Sequence, residues 1–491
     1  MKRTAGILLP IFSLPSNQGI GDFGKHTYRL IDQLAKQNIR IWQMLPLNPV
    51  GYGNSPYQPY SSFAGDEIYI SVDTLADYGL LKQSSIHNFN KFSERVDYTS
   101  VRKFKEPYFQ KAFKNFNKNF KLFEHDFMLF KSQCEWLYPY CVFITLKKHN
   151  DGLPWYEWPK EQREWIKDRK FPLTDFETQI RYEQFLQFMF YKQWHSIKKH
   201  ANDKGIEIMG DIPFYVGLDS VDVWQNQDQF LLDSDGHPTF VAGVPPDYFS
   251  EDGQRWGNPI YDWKRMKKHS YDFWMKRIAW NAANYDIIRI DHFRAFDTYW
   301  KIPADCPTAR VGEWIMGPAY DFFDELYQQM PSVKIVAEDL GDLRKQVLKL
   351  RDYYHLYGMN VVEFELTPKQ LKKKRKEHVI LYTGTHDNDT LKGMYQDLPQ
   401  NRKIALRRYF HNCGYDNRSF NELVIRYCLD SDAKIVIIPV QDVLGLGKEG
   451  RINTPGTLGT PNWEWKLKNL NDFYGLLPKL GQWIQDSERG I

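Results

Sequence analysis

Eight short runs of apolar and often β-branched residues recur along the chain, and each run ends in polar residues. Unbroken apolar runs of this length are typical of strands that are buried on both faces, as in a parallel sheet. The pattern therefore predicts eight strands, within residues 6–10, 39–47, 206–213, 286–293, 333–341, 360–366, 379–387 and 433–442.

Helical patterns lie between these runs. Apolar residues share one helical face at Tyr28, Ile31, Leu34 and Ala35. A second amphipathic helix is predicted over 343–354, with Gly358 as its C-terminal cap. Eight strands alternating with helices predict an α/β protein with a (β/α)8 TIM barrel. A doubly wound sheet is the alternative, and it is less favoured because no glycine-rich phosphate-binding turn follows any strand.

The spacing of the runs is uneven, and about 160 residues separate the second run from the third. Connections of this length in a compact domain need structure of their own. We therefore predict that residues 1–491 form a single barrel with a mainly helical insertion at 70–200, between strands 2 and 3. A second insertion is predicted at 213–270, and no separate C-terminal β domain is expected.

Charge and cysteine content indicate which binding partners and which cellular compartment suit the protein. The 65 Lys+Arg and 61 Asp+Glu residues give a net charge of +4, too small a bias to indicate nucleic-acid binding. The basic run 371–376 is interpreted as the solvated face of a helix. Five scattered cysteines without a CxxC pair indicate a reducing compartment, and no apolar run is long enough to predict a membrane span. We therefore expect a cytoplasmic protein.

Aromatic content is the unusual feature of the composition. Trp, Tyr and Phe make up 16% of the chain. A large core, with Tyr and Trp at half-exposed positions, explains most of such a content. A groove that stacks flat apolar ligand faces, such as those of sugar rings, is the second explanation and applies to fewer residues.

Three of the predicted strands end in a carboxylate, at Asp291, Glu338 and Asp387, and Arg289 and His386 lie beside them in the sequence. In barrels of this kind the active site lies at the C-terminal ends of the strands, so these side chains are expected to converge. Each carboxylate could instead cap the helix that follows it, but three converging together favour a site. Chemistry that needs only carboxylates is glycosyl transfer through an oxocarbenium-like transition state.

The segments that carry this chemistry resemble those of the 4-α-glucanotransferases, also called amylomaltases or disproportionating enzymes. These are relatives of the α-amylases in glycoside hydrolase family 77. The resemblance extends over nearly the whole chain, through residues 55–66, 210–216, 243–263, 288–295, 336–341, 384–390 and 440–457, with NWEW at 462–465.

The resemblance implies a role for each of the three carboxylates. Asp291 matches the nucleophile that forms a covalent glucosyl-enzyme, and Glu338 matches the general acid/base. Asp387 matches the third carboxylate, which holds hydroxyls of the distorted sugar ring. Arg289 would sit beside Asp291 and keep it ionised.

The same resemblance implies which residues bind the sugar chain and cover the site. Residues 243–259, within the second insertion, match a mobile lid loop over the acceptor side. The substrate-binding positions are then Ser55, Tyr57, Asp211, Arg289, His386 and Asn462, with Asp247, Tyr248, Phe249, Gln254 and Trp256 on the lid loop.

The expected function is that of a retaining 4-α-glucanotransferase built on a single catalytic barrel. It would pass a segment of an α-1,4-glucan to the 4-hydroxyl of an acceptor glucan or glucose. Its partners would be α-1,4-glucans and maltooligosaccharides, with no metal, cofactor, nucleic acid or membrane implied. Two alternatives remain: a retaining α-glucan hydrolase on the same scaffold, and a non-catalytic glucan-binding protein, which the three intact carboxylates disfavour.

Overall fold

The computed structural model describes residues 3–90, 93–246, 250–373, 378–415 and 418–490. Its central feature is a parallel eight-stranded sheet, and strands are numbered here in chain order through the whole molecule. The strands of this sheet are β1 (Thr4–Leu8), β2 (Ile41–Gln43), β3 (Glu207–Ile212), β6 (Ile287–Ile290), β9 (Ile335–Ala337), β10 (Gly358–Val361), β11 (Val379–Tyr382) and β12 (Ile435–Pro439).

The strands are hydrogen-bonded in the order β10-β11-β12-β1-β2-β3-β6-β9, and every pairing is parallel. The two outermost strands approach each other, because Val336 forms a parallel bridge with Tyr357 and the Ala337 amide donates to the Tyr357 carbonyl at 2.7 Å. The sheet thus curls into a nearly closed barrel. The predicted (β/α)8 fold is confirmed, and the doubly wound alternative is wrong.

Each of the eight apolar runs overlaps one barrel strand, because residues on both faces of these strands are buried. All five residues of β12 and all four of β11 are buried, as an unbroken apolar run requires. The run 360–366 is the least accurate prediction. Its strand ends at Val361, and residues Val362–Glu365 form a 3-10 turn.

Gly358 does not cap a helix, as the sequence pattern predicts. The preceding helix ends at Tyr353, the left-handed residue is His355, and Gly358 is the first residue of β10. A Cβ atom at Gly358 would lie 2.5 Å from Arg351 Nη1 and 2.7 Å from Asp339 Oδ2, which form a buried ion pair. The glycine is therefore required by the close approach of this ion pair to the backbone.

Eighteen α-helices are described, and most of them lie between consecutive barrel strands. Those from β1 to β3 are α1 (Lys25–Lys36), α2 (Val72–Asp77), α3 (Tyr98–Lys118), α4 (Glu124–Gln133), α5 (Leu137–His149), α6 (Lys160–Asp168) and α7 (Glu177–Asp203). The remainder are α8 (Val221–Gln225), α9 (Trp263–Lys268), α10 (Asp272–Asn284), α11 (Ala319–Gln329), α12 (Lys345–Tyr353), α13 (Pro368–Leu371), α14 (Leu391–Asp397), α15 (Gln400–Asn412), α16 (Phe420–Asp430), α17 (Val440–Leu444) and α18 (Asn471–Asp486).

The proposed insertion at 70–200 is occupied by helices α2 to α7, although the division of the chain into a barrel and insertions stays a prediction. Aromatic side chains pack closely in this region. The Phe116 ring, for example, lies 5.4 Å from Phe127 and 5.0 Å from Phe185 between centroids. Much of the aromatic content of the chain therefore serves core packing.

A second, antiparallel sheet lies beside the barrel. Its strands are β4 (Phe240–Val244), β5 (Gln254–Pro259), β7 (Thr298–Pro303) and β8 (Glu313–Met316), in the spatial order β5-β4-β7-β8. Strands β4 and β5 fall within the proposed insertion at 213–270. The predicted lid loop at 243–259 begins in β4 and includes all of β5, so Gln254 and Trp256 lie on a strand. Asp247, Tyr248 and Phe249 of the predicted lid loop lie outside the described residues, as do residues 374–376 of the basic run 371–376.

None of the helices in the described parts of the chain is both long enough and apolar enough to cross a membrane.

Candidate active site

Asp291 and Glu338 lie side by side at the C-terminal edge of the barrel. Asp291 directly follows β6, and its amide donates to the Ile212 carbonyl of β3 at 3.0 Å. Glu338 directly follows β9, and its amide donates to the Ile290 carbonyl of β6 at 3.0 Å. The backbone ladder thus fixes both carboxyl groups on neighbouring strand ends, which is where active sites of such barrels form.

Arg289 is held between two aspartates. Its Nη1 donates to both carboxylate oxygens of Asp211, at 2.8 and 2.7 Å, and its Nη2 lies 2.9 Å from Asp291 Oδ1. The side chains of Asp211 and Arg289 are 0% and 4% exposed, whereas that of Asp291 is 31% exposed. Asp211 is therefore a buried anchor for the arginine, and Asp291 is the member of the group that reaches the cleft.

Tyr57 connects this charged group to the loop that follows β2. The Tyr57 hydroxyl donates to Asp211 Oδ2 at 2.7 Å. Its ring stacks on His386, with centroids 5.2 Å apart and planes 18° apart, and lies 5.6 Å from the Trp463 ring. Ser55 shapes the same loop, since its hydroxyl accepts from the Tyr57 amide at 3.3 Å. The three rings form an aromatic wall beside the carboxylates.

Glu338 is in a setting that favours its protonated form. Burial and the nearby Asp291 charge raise the pKa of the Glu338 carboxyl to about 8. The backbone amides of His292 and Leu340 donate to its two oxygens at 2.9 and 3.2 Å. His292 has a left-handed backbone (φ 48°), which directs its amide toward the carboxyl. At neutral pH the group can therefore act as an acid.

The surroundings of Asp291 and Asp387 shift the pKa values of these two carboxyls in opposite directions. Burial raises the pKa of Asp291 above its ordinary value, and the attraction of Arg289 opposes this rise without cancelling it. The expected effect of Arg289 is thus present but is not the dominant one. At Asp387, burial also favours the neutral form, but His386 and Asn453 outweigh it and lower the pKa to about 2.

The loop that carries Asp387 is clamped by a segment more than sixty residues further along the chain. Asn453 Nδ2 donates to Asp387 Oδ1 at 2.7 Å, and His386 Nε2 lies 3.4 Å from Asp387 Oδ2. Arg451 donates to the carbonyl oxygens of Asp387 and Asn453, at 2.9 and 2.8 Å. Arg451 and Asn453 were not predicted as site residues, although both lie in the matched segment 440–457. We call Arg451 and Asn453 the loop clamp.

Asn462 is buried in the loop that follows this clamp and is hydrogen-bonded within that loop. Its Oδ1 accepts from the Thr454 amide at 2.9 Å, and its Nδ2 donates to Thr457 Oγ1 at 2.9 Å. The residue is 4% exposed. These contacts shape the 454–462 loop, so the geometry gives Asn462 a supporting position, and its expected contact with sugar hydroxyls stays a prediction.

Gln254 and Trp256 stand on β5, on the other side of Glu338. Trp256 Nε1 donates to Gln254 Oε1 at 3.1 Å, and the Trp256 ring meets the His292 ring edge to face at 4.8 Å. Because the His292 amide binds Glu338, β5 packs against the residue that positions the acid. The second sheet therefore forms a wall next to Glu338.

This arrangement defines a class of enzyme. A carboxyl with a pKa near 8 stands beside a carboxylate bound to arginine at the C-terminal edge of a (β/α)8 barrel. Enzymes that break and form glycosidic bonds use two carboxyl groups whose environments give them different pKa values.

Comparison with known proteins identifies the family within that class. A family model described as 4-alpha-glucanotransferase matches residues 9–471. The 4-alpha-glucanotransferase of Synechocystis sp. is 40% identical over 486 residues, which cover 96% of this chain and 95% of the relative. The corresponding enzyme of Thermus thermophilus is 38% identical over 482 residues, 95% of each chain. A solved structure of amylomaltase from Streptococcus agalactiae in complex with acarbose superposes with a TM-score of 0.92 at 33% identity, covering 100% of both chains. The chain belongs to the 4-α-glucanotransferase family.

The loop clamp generates a prediction with a defined pH dependence. In Asn453→Asp, a protonated new carboxyl can still donate to Asp387, whereas an ionised one repels it, and two carboxyls sharing a site raise at least one pKa. The loss in kcat/KM for maltotriose should therefore be small near pH 5 and grow to about tenfold or more by pH 8, one pKa unit being a factor of ten.

The matched control is Asn115→Asp, which changes charge equally at an amide that binds the Leu80 carbonyl in the helical region. Its pH profile should follow that of the unmodified protein. A loss in Asn453→Asp that is equal at every pH would mean that Asn453 supports the fold without controlling the charge on Asp387.

Proposed function

We propose that the protein transfers a segment of an α-1,4-glucan to the 4-hydroxyl of another glucan, or of glucose, by a retaining double displacement. Its substrates are then α-1,4-glucans and maltooligosaccharides as both donor and acceptor. The observation that carries the proposal is the pairing of Glu338, whose pKa is about 8, with the arginine-bound Asp291 on the adjacent strand end. Family membership supports transfer over the hydrolytic alternative.

In the first step, an Asp291 oxygen attacks the anomeric carbon of the donor, and the bond from that carbon to the glycosidic oxygen breaks. Glu338 gives its proton to this oxygen, which leaves as the 4-hydroxyl of the released fragment. The donor segment is then held on Asp291 as a glycosyl ester. Arg289 assists because its positive charge, 2.9 Å away, favours the carboxylate form that attacks.

In the second step, the 4-hydroxyl of an acceptor attacks the anomeric carbon of the ester. Glu338, now a carboxylate, takes the proton from this hydroxyl, and the ester bond to Asp291 breaks. The number of glycosidic bonds is unchanged, and two inversions at the anomeric carbon give net retention. Asp291 and Glu338 both return to their starting protonation states.

Asp387 is proposed to bind hydroxyls of the reacting sugar. Its side chain is 42% exposed to the cleft, and its low pKa keeps it a hydrogen-bond acceptor throughout the cycle. His386 stands beside it as a donor, and burial of the imidazole is outweighed by the Asp387 charge, so the pKa of His386 is raised. The Tyr57 ring would supply an apolar face for sugar stacking.

Preference for a sugar acceptor over water is assigned to the β4–β5 hairpin, which carries the proposed lid loop at 243–259. A lid of this kind would shield the ester on Asp291 until a glucan arrives. Contact of Trp256 with His292 supports this assignment, since it places the hairpin against the backbone that holds Glu338. Gln254, Asp247, Tyr248 and Phe249 are proposed to complete the acceptor side.

A cytoplasmic location is part of the proposal. None of the five cysteines, all of which lie in the described parts of the chain, forms a disulfide, and two of them have intermediate or high exposure (Cys306 and Cys413), which suits a reducing compartment.

Conversion of maltotriose tests the function directly. Transfer conserves glycosidic bonds, so maltotriose should give glucose together with a ladder of longer maltooligosaccharides, at a nearly constant number of reducing ends. The measurement is chromatography of the products alongside a reducing-end assay. Products limited to glucose and maltose, with reducing ends rising throughout, would establish hydrolysis instead.

The nucleophile is tested by Asp291→Asn. The neutral amide cannot form the ester, so transfer should fall by at least about 10⁴-fold, as expected when a group essential to a covalent mechanism is removed. Binding of maltooligosaccharides should persist in isothermal titration calorimetry. Asp272→Asn, on the exposed surface of α10, is the matched control and should retain full activity. Substantial transfer by Asp291→Asn would refute the assignment of the nucleophile.

The acid is tested by the pH dependence of kcat/KM for maltotriose. Glu338 must carry its proton when the donor binds, and its raised pKa means that the proton is present below about pH 8 and lost above it. Activity should therefore fall with unit slope above about pH 8. An alkaline limb centred near pH 5, where an ordinary glutamate loses its proton, would contradict the environment described for Glu338.

A further inference from the structure

Two tryptophans stand opposite each other on the adjacent strands β7 and β8 of the second sheet. Trp300 on β7 pairs in register with Trp314 on β8, and their rings meet edge to face with centroids 5.2 Å apart. Strand β8 is the edge of the sheet, and Trp314 is 42% exposed. A tryptophan with this much open surface on a rigid strand is a candidate contact for a ligand.

Trp300 connects this pair to Asp252, in the part of the predicted lid loop just before β5. Its Nε1 donates to the Ala309 carbonyl at 3.0 Å, and the Ala309 amide donates to the Asp252 carbonyl at 2.9 Å. Arg310 Nε also donates to Asp252 Oδ1 at 2.6 Å. The tryptophan pair is therefore connected by hydrogen bonds to the segment just before β5, the strand that carries Trp256.

Trp314 is connected in the other direction to the loop that follows Glu338. The Arg294 guanidinium covers one face of the Trp314 ring, 4.2 Å from its centroid. Arg294 Nη1 donates to the Asp342 carbonyl at 3.0 Å, four residues after Glu338. Trp314 is thus connected through Arg294 to the loop after Glu338, and through Trp300 to the segment before β5. In the proposed mechanism Glu338 protonates the oxygen of the departing fragment, so the inference places both neighbours on the acceptor side.

The Arg294 guanidinium supplies hydrogen-bond donors beside the Trp314 ring, because it lies 4.2 Å from the ring centroid. The next cross-strand pair, Lys301 and Glu313, points to the opposite face of the sheet, because successive residues of a strand alternate in direction. An aromatic surface beside guanidinium donors matches a sugar ring, which has apolar faces and a hydroxyl-bearing rim.

We propose that Trp314 is an outer platform for the acceptor glucan, which stacks a sugar ring of a chain that extends out of the cleft past Glu338. The inference rests on the proposed function, because it assumes that the substrate is an α-1,4-glucan. It adds a site beyond the residues around the carboxylates, and it predicts that long chains gain affinity from a contact that short chains do not reach.

The experiment compares a short and a long ligand in the full chain carrying Asp291→Asn, which prevents turnover. Dissociation constants for maltotriose and maltoheptaose are measured by isothermal titration calorimetry, with and without Trp314→Thr. Threonine suits an edge strand, and a melting curve verifies that the variant is folded. The ratio of the two constants, which reports the gain from the outer rings, should fall about three- to tenfold in Trp314→Thr. Trp314→Phe, which keeps an aromatic face, should restore most of it.

Tyr138→Ala is the matched control, because Tyr138 is 46% exposed and packs against Trp165 in the helical region. Its ratio should equal that of the parent. A ratio unchanged by Trp314→Thr would overturn the proposal, and so would a change in sedimentation coefficient with unchanged glucan affinity, which would assign the tryptophan to contact with a second copy. Failure of the proposed function would instead appear as no maltotriose conversion by the unmodified protein.

Discussion

A single arginine held between two aspartates is the interaction on which the rest of the site depends. Arg289 is buried at the barrel edge, with Asp211 on one side and Asp291 on the other. Removing either partner from such a group leaves an uncompensated buried charge, which is strongly destabilising. Asp211 also accepts from Tyr57, so the position of the aromatic wall follows from the same charge balance. The nucleophile, its counter-charge and the stacking surface are thus parts of one arrangement.

Three carboxyl groups in one cleft acquire different properties because each has different neighbours. Glu338 is buried next to a negative charge, Asp291 has an arginine, and Asp387 has a histidine and an amide. The first is favoured as an acid, the second as an attacking group and the third as a permanent acceptor. These differences in pKa come from partners on separate strands and loops. The three carboxyl groups therefore acquire their separate roles only when the barrel is folded.

The barrel strands could be predicted from the sequence, because strands that are buried on both faces leave unbroken apolar runs. The three carboxylates could be predicted as well, because each lies directly at the end of such a run in the sequence. Other features depend on distant partners. Strands β5 and β8 of the second sheet are short and partly exposed, so they leave no such run. The loop clamp joins Asp387 to a segment more than sixty residues away, and no local pattern marks that contact. Gly358 was misassigned because its reason is the space taken by Arg351 and Asp339, which only the assembled barrel reveals.

The joint between β9 and β10 has a consequence for how such an enzyme can change. One backbone bridge closes the barrel there, and the Asp339–Arg351 pair over Gly358 reinforces it, with the Met359 amide donating to Asp339 Oδ1 at 2.7 Å. Asp339 is the residue after Glu338, whereas Glu338 itself is placed relative to Asp291 by the backbone ladder between β6 and β9. Substitutions around the β9–β10 joint can therefore act on barrel closure and on the segment after Glu338 while the ladder that holds the two carboxyls stays intact. The part of the scaffold that closes the barrel and the part that sets the geometry of the reaction can thus change separately.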